Sequence, residues 1–161
     1  MALLRLATIE RLPKAVTLGP QFKSASLTAA DSEQLLDLIE AIESGSTLSP
    51  RLYRRRRNDT PDRLLADEAI MHLHLGGQDS DTLVYLMQFE HEVVLLAIAG
   101  HVYLQPEKRP ALKVMSEAEK RRAVLRDKLK VDEVAKAESA RQQDHAAKLK
   151  ASLATLKKPP K

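Results

Sequence analysis

The clearest periodic signal lies between Leu35 and Ile42. Leu35, Leu38, Ile39 and Ile42 recur at helical spacing, while Glu33, Asp37, Glu40 and Glu43 fill the rest of the surface. Thr28 or Asp31 is placed to cap this helix, Gly45 to end it, and Pro50 falls in the break before a second element. The period then changes from helical to alternating. Across Ala69 to Leu75, Met71, Leu73 and Leu75 take one face of a strand, and His72 and His74 take the other. The run Gly76 to Asp81 reads as a turn. A β-rich run follows from Thr82 to Phe89, then the polar link Glu90-His91-Glu92, then Val93 to Ala99. The last run is apolar on both faces, which suits a central strand. Links this short force antiparallel pairing, because a parallel pair needs a long crossover. The middle of the chain is therefore a three-stranded antiparallel meander, closed by Pro106 and Pro110, and the mixed run Thr17 to Ser26 supplies a first strand.

Beyond the meander, Ser116-Glu117-Ala118-Glu119 has the pattern of a capping box. Alanine, lysine, arginine and glutamate then dominate up to Pro159-Pro160. Large apolar residues are sparse (Val124, Leu125, Leu129, Val131, Val134, Leu149, Leu153, Leu156) and do not sustain a heptad seam. The expected fold class is α+β: a small antiparallel sheet with helices packed on one face, over about residues 18–115. A charged helical extension at 116–161 follows, and residues 1–17 form either a leader or an extra strand.

Composition narrows the function classes. The 161 residues include no cysteine, which removes a disulfide framework and a thiolate metal site and fits a reducing, cytoplasmic setting. The longest apolar run, Val93 to Ala99, is too short to span a bilayer, and no membrane partner is expected. Arg5, Glu10, Arg11 and Lys14 interrupt the apolar residues of the N-terminus, unlike a secretory signal. The net charge of +4 is modest, so its distribution matters more than its size. Aromatic residues make up 3% of the chain, which argues against a protein that grips single strands mainly by stacking.

Three groups of residues carry candidate chemistry. Arg51, Arg54, Arg55, Arg56 and Arg57 crowd positive charge just before the turn cluster Asn58-Asp59-Thr60-Pro61. Phosphate is a natural partner, since guanidinium groups bind its oxygens as a fork, although a solvated basic turn or a patch for an acidic protein has the same appearance. His72 and His74 at i, i+2 project side by side like a chelating pair. No third and fourth ligand stands at a recognisable spacing, so no metal is expected, and surface, structural or RNA-contact roles stay open. His101 follows the central strand in Ala97-Ile98-Ala99-Gly100-His101-Val102-Tyr103, where a sheet can fix an imidazole at the edge of a cleft. Tyr103 lies on the same side if the chain stays extended. Lys108 and Arg109 add charge in the next loop.

The helix ending Ile42-Glu43-Ser44-Gly45 with Leu48 and Pro50, the strand Ala69-Ile70-Met71-His72-Leu73-His74-Leu75, Leu83-Val84-Tyr85 and Leu95-Leu96-Ala97-Ile98 together resemble the RelE/ParE toxin superfamily. The similarity is closer to the YafO-like branch of ribosome-dependent mRNA interferases and covers about residues 22–115. The resemblance implies an endoribonuclease toxin of a type II toxin–antitoxin system, with mRNA and the ribosome as targets and an antitoxin protein as partner. It places His101 and Tyr103, with His72 and His74 in support, at the scissile phosphate. Arg51, Arg54–Arg57, Lys108 and Arg109 would bind RNA, with no cofactor. This chain departs from the common pattern by carrying His72 and His74 where arginine is usual on the middle strands. A gyrase-directed ParE-type toxin and a non-catalytic interaction module are the competing classes.

Overall fold

A computed structural model of the chain describes residues 2–53, 62–77, 80–105 and 107–156. Residues Met1–Arg122 form one compact unit and Ala123–Lys161 a second. The fold is α+β, with a five-stranded mixed sheet. Along the chain come β1 (Leu3–Leu4), β2 (Ala15–Leu18), α1 (Ala29–Ser44), a 3-10 turn at Pro50–Leu52, α2 (Arg63–Glu68), β3 (Met71–His74), β4 (Leu83–Phe89), β5 (Glu92–Ala99), a second 3-10 turn at His101–Leu104, and α3 (Arg109–Leu156).

Helix α1 forms as its periodicity predicts. Thr28 is the cap, its hydroxyl accepting from the Asp31 N–H at 3.1 Å, and Leu35, Leu38 and Ile42 are buried. Gly45 ends the helix at φ 71°, and a Cβ there would lie 2.7 Å from Pro13 Cδ, so both the backbone angle and the close approach call for glycine.

The antiparallel meander is present. Strand β3 pairs with β4 (His72 opposite Tyr85, His74 opposite Leu83), and β4 pairs with β5 from Leu83–Ala99 to Gln88–Val93, with an irregularity at Tyr85/Leu86. β1 shares the β3 edge of β4, with Leu3 opposite Phe89. β2 lies on the far side of β5 and runs parallel to it, Val16 opposite Val93. This parallel pair, separated by a long crossover, is what makes the sheet mixed.

β1 comes first, and the strand expected from the Thr17–Ser26 run is instead β2, Ala15–Leu18. Its start is fixed by Lys14, which is buried and donates to Phe89 O at 2.7 Å, Glu90 O at 2.9 Å and the Glu10 carboxylate at 2.6 Å. Its end is fixed by Gly19, whose N–H donates to Leu95 O at 2.8 Å. Upstream, Ile9 joins the core and its N–H donates to the Tyr53 hydroxyl at 3.2 Å, while Glu10 N–H donates to the buried Gln88 side chain at 2.8 Å.

One core lies between α1 and the sheet, where Leu35, Leu38 and Ile42 meet Met71, Leu73, Leu86, Val93 and Leu95. Strand alternation sends His72, His74, Tyr85, Met87, Val94 and Leu96 elsewhere, and these are buried as well. The sheet is therefore covered on both faces, not on one. Leu64 of α2 and Leu112 of α3 are buried outside the α1-side cluster, and Lys113 of α3 reaches Glu68 of α2 at 3.5 Å.

Helix α3 starts at Arg109, not at the capping-box pattern. Pro110 is tolerated because the first helical N–H groups have no intrahelical acceptor anyway. Ser116 is an interior position, fully buried, with its hydroxyl donating back to Lys113 O at 3.0 Å. In the second unit, residues 128–144 are exposed along the helix, Leu129, Val131 and Val134 included. No helix among the described residues is long and apolar enough to cross a membrane.

Candidate functional site

Strand β3 carries His72 and His74 on the face away from α1, and the turn after β5 brings His101 to the same place. The rings form a row: His72 and His74 are 5.7 Å apart between centroids, and His74 and His101 5.6 Å. Tyr85, opposite His72 on β4, lies 6.1 Å from the His72 ring and meets Tyr103 edge to face at 5.3 Å. The four residues expected at the scissile phosphate, His72, His74, His101 and Tyr103, thus belong to one cluster. The premise that the chain stays extended through Tyr103 does not hold. Residues His101–Leu104 coil into a 3-10 turn, and Tyr103 reaches the cluster by lying across Tyr85.

The row is graded in exposure. His72 and His74 are 3% and 5% exposed, whereas the His101 side chain is 46% exposed and Tyr103 is half-buried. His101 and Tyr103 are the members of the cluster open to solvent. Carboxylates close both ends: Asp62, which caps α2, holds an oxygen 3.6 Å from His72 Nδ1, and Asp81 holds one 3.0 Å from His101 Nδ1. Between them His74 Nδ1 lies 3.1 Å from Ser80 O. A carbonyl oxygen only accepts, so His74 carries a proton on Nδ1, and Nε2 is the nitrogen that this contact leaves unengaged. Tyr85 donates its hydroxyl proton to Gly100 O at 2.9 Å, which pins the residue before His101. Burial, reinforced by the neighbouring Tyr103, pushes the Tyr85 phenol well above its ordinary pKa, so it stays a neutral donor.

The basic residues sit elsewhere. Exposed Arg51 lines a groove of about 380 Å³ against α1 with Gln34, Asp37 and Ser49, on the other side of the sheet from the histidines. Arg109 donates to Leu104 O at 3.3 Å and lines a recess of about 200 Å³ with Arg63, Asp67, Glu68 and Lys113. Lys108 is exposed at the start of α3. Arg54–Arg57 lie outside the described residues; in sequence Asn58-Asp59-Thr60-Pro61 separates them from Asp62, the partner of His72. No group of three or more histidine or carboxylate side chains among the described residues is arranged to hold a metal ion.

Sequence reasoning missed Asp62, Ser80, Asp81 and Tyr85. Asp62 was readable as a helix cap, and Tyr85 as the cross-strand neighbour of His72 once β3 and β4 are put in register. Nothing in the spacing pointed to Ser80 and Asp81, because their role depends on tertiary contacts with histidines of two different elements.

No protein-family model matches the chain, and the comparisons with curated proteins and with solved structures give no match either.

Proposed function

We propose that the chain is an endoribonuclease toxin that cleaves mRNA on the ribosome in the cytoplasm and is neutralised by an antitoxin protein. The observation that carries this reading is the convergence of His72, His74 and His101 with Tyr103 on one sheet face, with an exposed imidazole at its edge. RNA supplies its own nucleophile, so the chemistry needs only a base, an acid and a neighbouring polar group. One imidazole takes the proton of the ribose 2′-OH as its oxygen bonds to phosphorus. The bond from phosphorus to the 5′ oxygen breaks, and a second protonated group supplies the proton that the leaving oxygen needs. In this reading His101 meets the phosphate, His74 exchanges a proton behind it, and the Tyr103 hydroxyl donates to a phosphate oxygen. Arg54–Arg57, with Arg51, Lys108 and Arg109, would add affinity for the backbone.

The test is cleavage of message bound to purified ribosomes. His101→Ala is expected to slow it by roughly 10²-fold or more, as loss of an acid–base group does. Wild-type cleavage that His101→Ala leaves equally fast removes His101 from the chemistry. The near-complete burial of His72 and His74 favours a second reading, in which the histidines are a structural polar core and the chain binds a protein, as a gyrase-directed toxin or an interaction module. Absence of any cleavage by the wild type would select it.

A further inference from the structure

Two consecutive residues hold two histidines that come from different elements, His74 from β3 and His101 from the 3-10 turn after β5. Ser80 O lies 3.1 Å from His74 Nδ1, Asp81 Oδ1 lies 3.0 Å from His101 Nδ1, and the two rings are 5.6 Å apart. Both partners are oxygens that accept, so both contacts ask for a proton on Nδ1 and leave Nε2 as the nitrogen free to take or give one. The holding turn is itself anchored. Gly76 N–H donates to the Gln34 side chain of α1 at 2.6 Å, Ser80 N–H to Gly77 O at 3.0 Å, and Thr82 N–H to the Ser80 hydroxyl at 3.0 Å. Gly76 and Gly77 adopt φ of 84° and 97°, a region that side-chain-bearing residues avoid.

We infer that Ser80 and Asp81 act together as a tautomer clamp: positioning residues that fix His74 and His101 as Nδ1–H imidazoles and present both Nε2 atoms as the reactive pair. Free imidazole distributes its proton between the two nitrogens, so an unclamped pair is often in the wrong form for a step that needs a specific nitrogen. The two halves differ in strength. His74 is buried and its acceptor is main chain, so its tautomer is held firmly. Asp81 has a 95% exposed side chain and competes with water, so its hold on His101 is the weaker and the more easily removed. The catalytic part of this inference rests on the proposed RNA cleavage; the tautomers do not.

The experiment is imidazole ¹⁵N NMR on the full chain at a pH well above the ordinary imidazole range, with a short unstructured histidine peptide as the reference for an unclamped ring. His74 and His101 are expected as Nδ1–H. Asp81→Ala is expected to move His101 to the distribution of the peptide and to leave His74 unchanged. Because the Asp81 side chain is almost wholly exposed, the substitution removes an acceptor without opening the core. A wild-type His101 with the distribution of the free peptide, or one unmoved by Asp81→Ala, overturns the clamp. In the ribosome assay Asp81→Ala is expected to lower the rate at saturating message by roughly tenfold with little change in KM, a fraction of the 10²–10⁴ supplied by the acid–base group itself. A shifted tautomer with undiminished cleavage removes the clamp from catalysis. A wild type that does not cleave at all refutes the functional reading, while the NMR result still decides the clamp.

Discussion

Tyr85→Phe removes one oxygen from the centre of the histidine cluster and changes little else. The ring is 0% exposed and keeps its packing as phenylalanine, so neither a large cavity nor a change of fold is expected. What is lost is the hydrogen bond to Gly100 O at 2.9 Å, worth about 1 kcal/mol net at neutral pH. With a urea m-value of about 2 kcal/mol/M, the denaturation midpoint should fall by about 0.5 M. The pH dependence is more telling. The folded-state pKa of Tyr85 is raised above the ordinary 10.0, chiefly by burial, so the native chain holds a proton that the unfolded chain releases. The stabilisation is thus complete below pH 10 and is lost as pH rises toward the raised value. The loss is about 1.4 kcal/mol per pH unit, which the phenylalanine variant does not suffer from this site. The two stability curves should converge near pH 11. Tyr53, also raised by burial, remains in both proteins and cancels. Urea denaturation of both chains between pH 7 and 11 is the assay. Curves that stay parallel throughout, or equal midpoints at pH 7, would refute a buried, hydrogen-bonded neutral phenol.

Lys14→Met should cost about 2–4 kcal/mol in urea denaturation, because it leaves Phe89 O and Glu90 O without their charged donor while the apolar stem still packs; a midpoint within ~0.2 M of the wild type would show that the N-terminal segment is not tied to the sheet. Leu112→Ala should cost about 2–5 kcal/mol by opening a cavity at a 0% exposed position, and a loss under ~1 kcal/mol would mean that the first part of α3 is not packed as described. Trypsin should cut first among the exposed lysines and arginines of residues 128–144, read by mass spectrometry of the early fragments; first cuts within residues 83–99 would contradict the burial of β4 and β5.

The elements with one dominant pattern could be read directly. α1 has a full apolar stripe and both its caps, and β3, β4 and β5 have runs bounded by turn residues and links too short for anything but antiparallel pairing. Positions decided by tertiary partners could not. Lys14 looks like a surface residue until three oxygens from two segments surround it, and it is this contact that places β2 ahead of the expected strand. Ser116 looks like a helix cap, but Pro110 fits the first turn of a helix already under way. The shared face of His72 and His74 followed from strand alternation and the place of His101 from a strand end, whereas Tyr103 joins them through a 3-10 turn that the pattern did not announce. The depth of His72 and His74 did not follow either, because a polar face of a strand gives no sign that other elements will cover it. The arginine run was the most conspicuous chemical signal, yet Arg51, its described member, faces the α1 groove rather than the histidines.

The central claim is that an imidazole cluster at the end of β5 cleaves RNA through its own 2′-OH. The direct measurement is the chemistry of the ends made when the purified chain acts on ribosome-bound message. Attack by the 2′-OH must leave a 5′-hydroxyl on the downstream fragment and a 2′,3′-cyclic phosphate, or its hydrolysis product, on the upstream one, and both should vanish with His101→Ala. A 5′-phosphate on the downstream fragment, or intact message after prolonged incubation, would contradict the account.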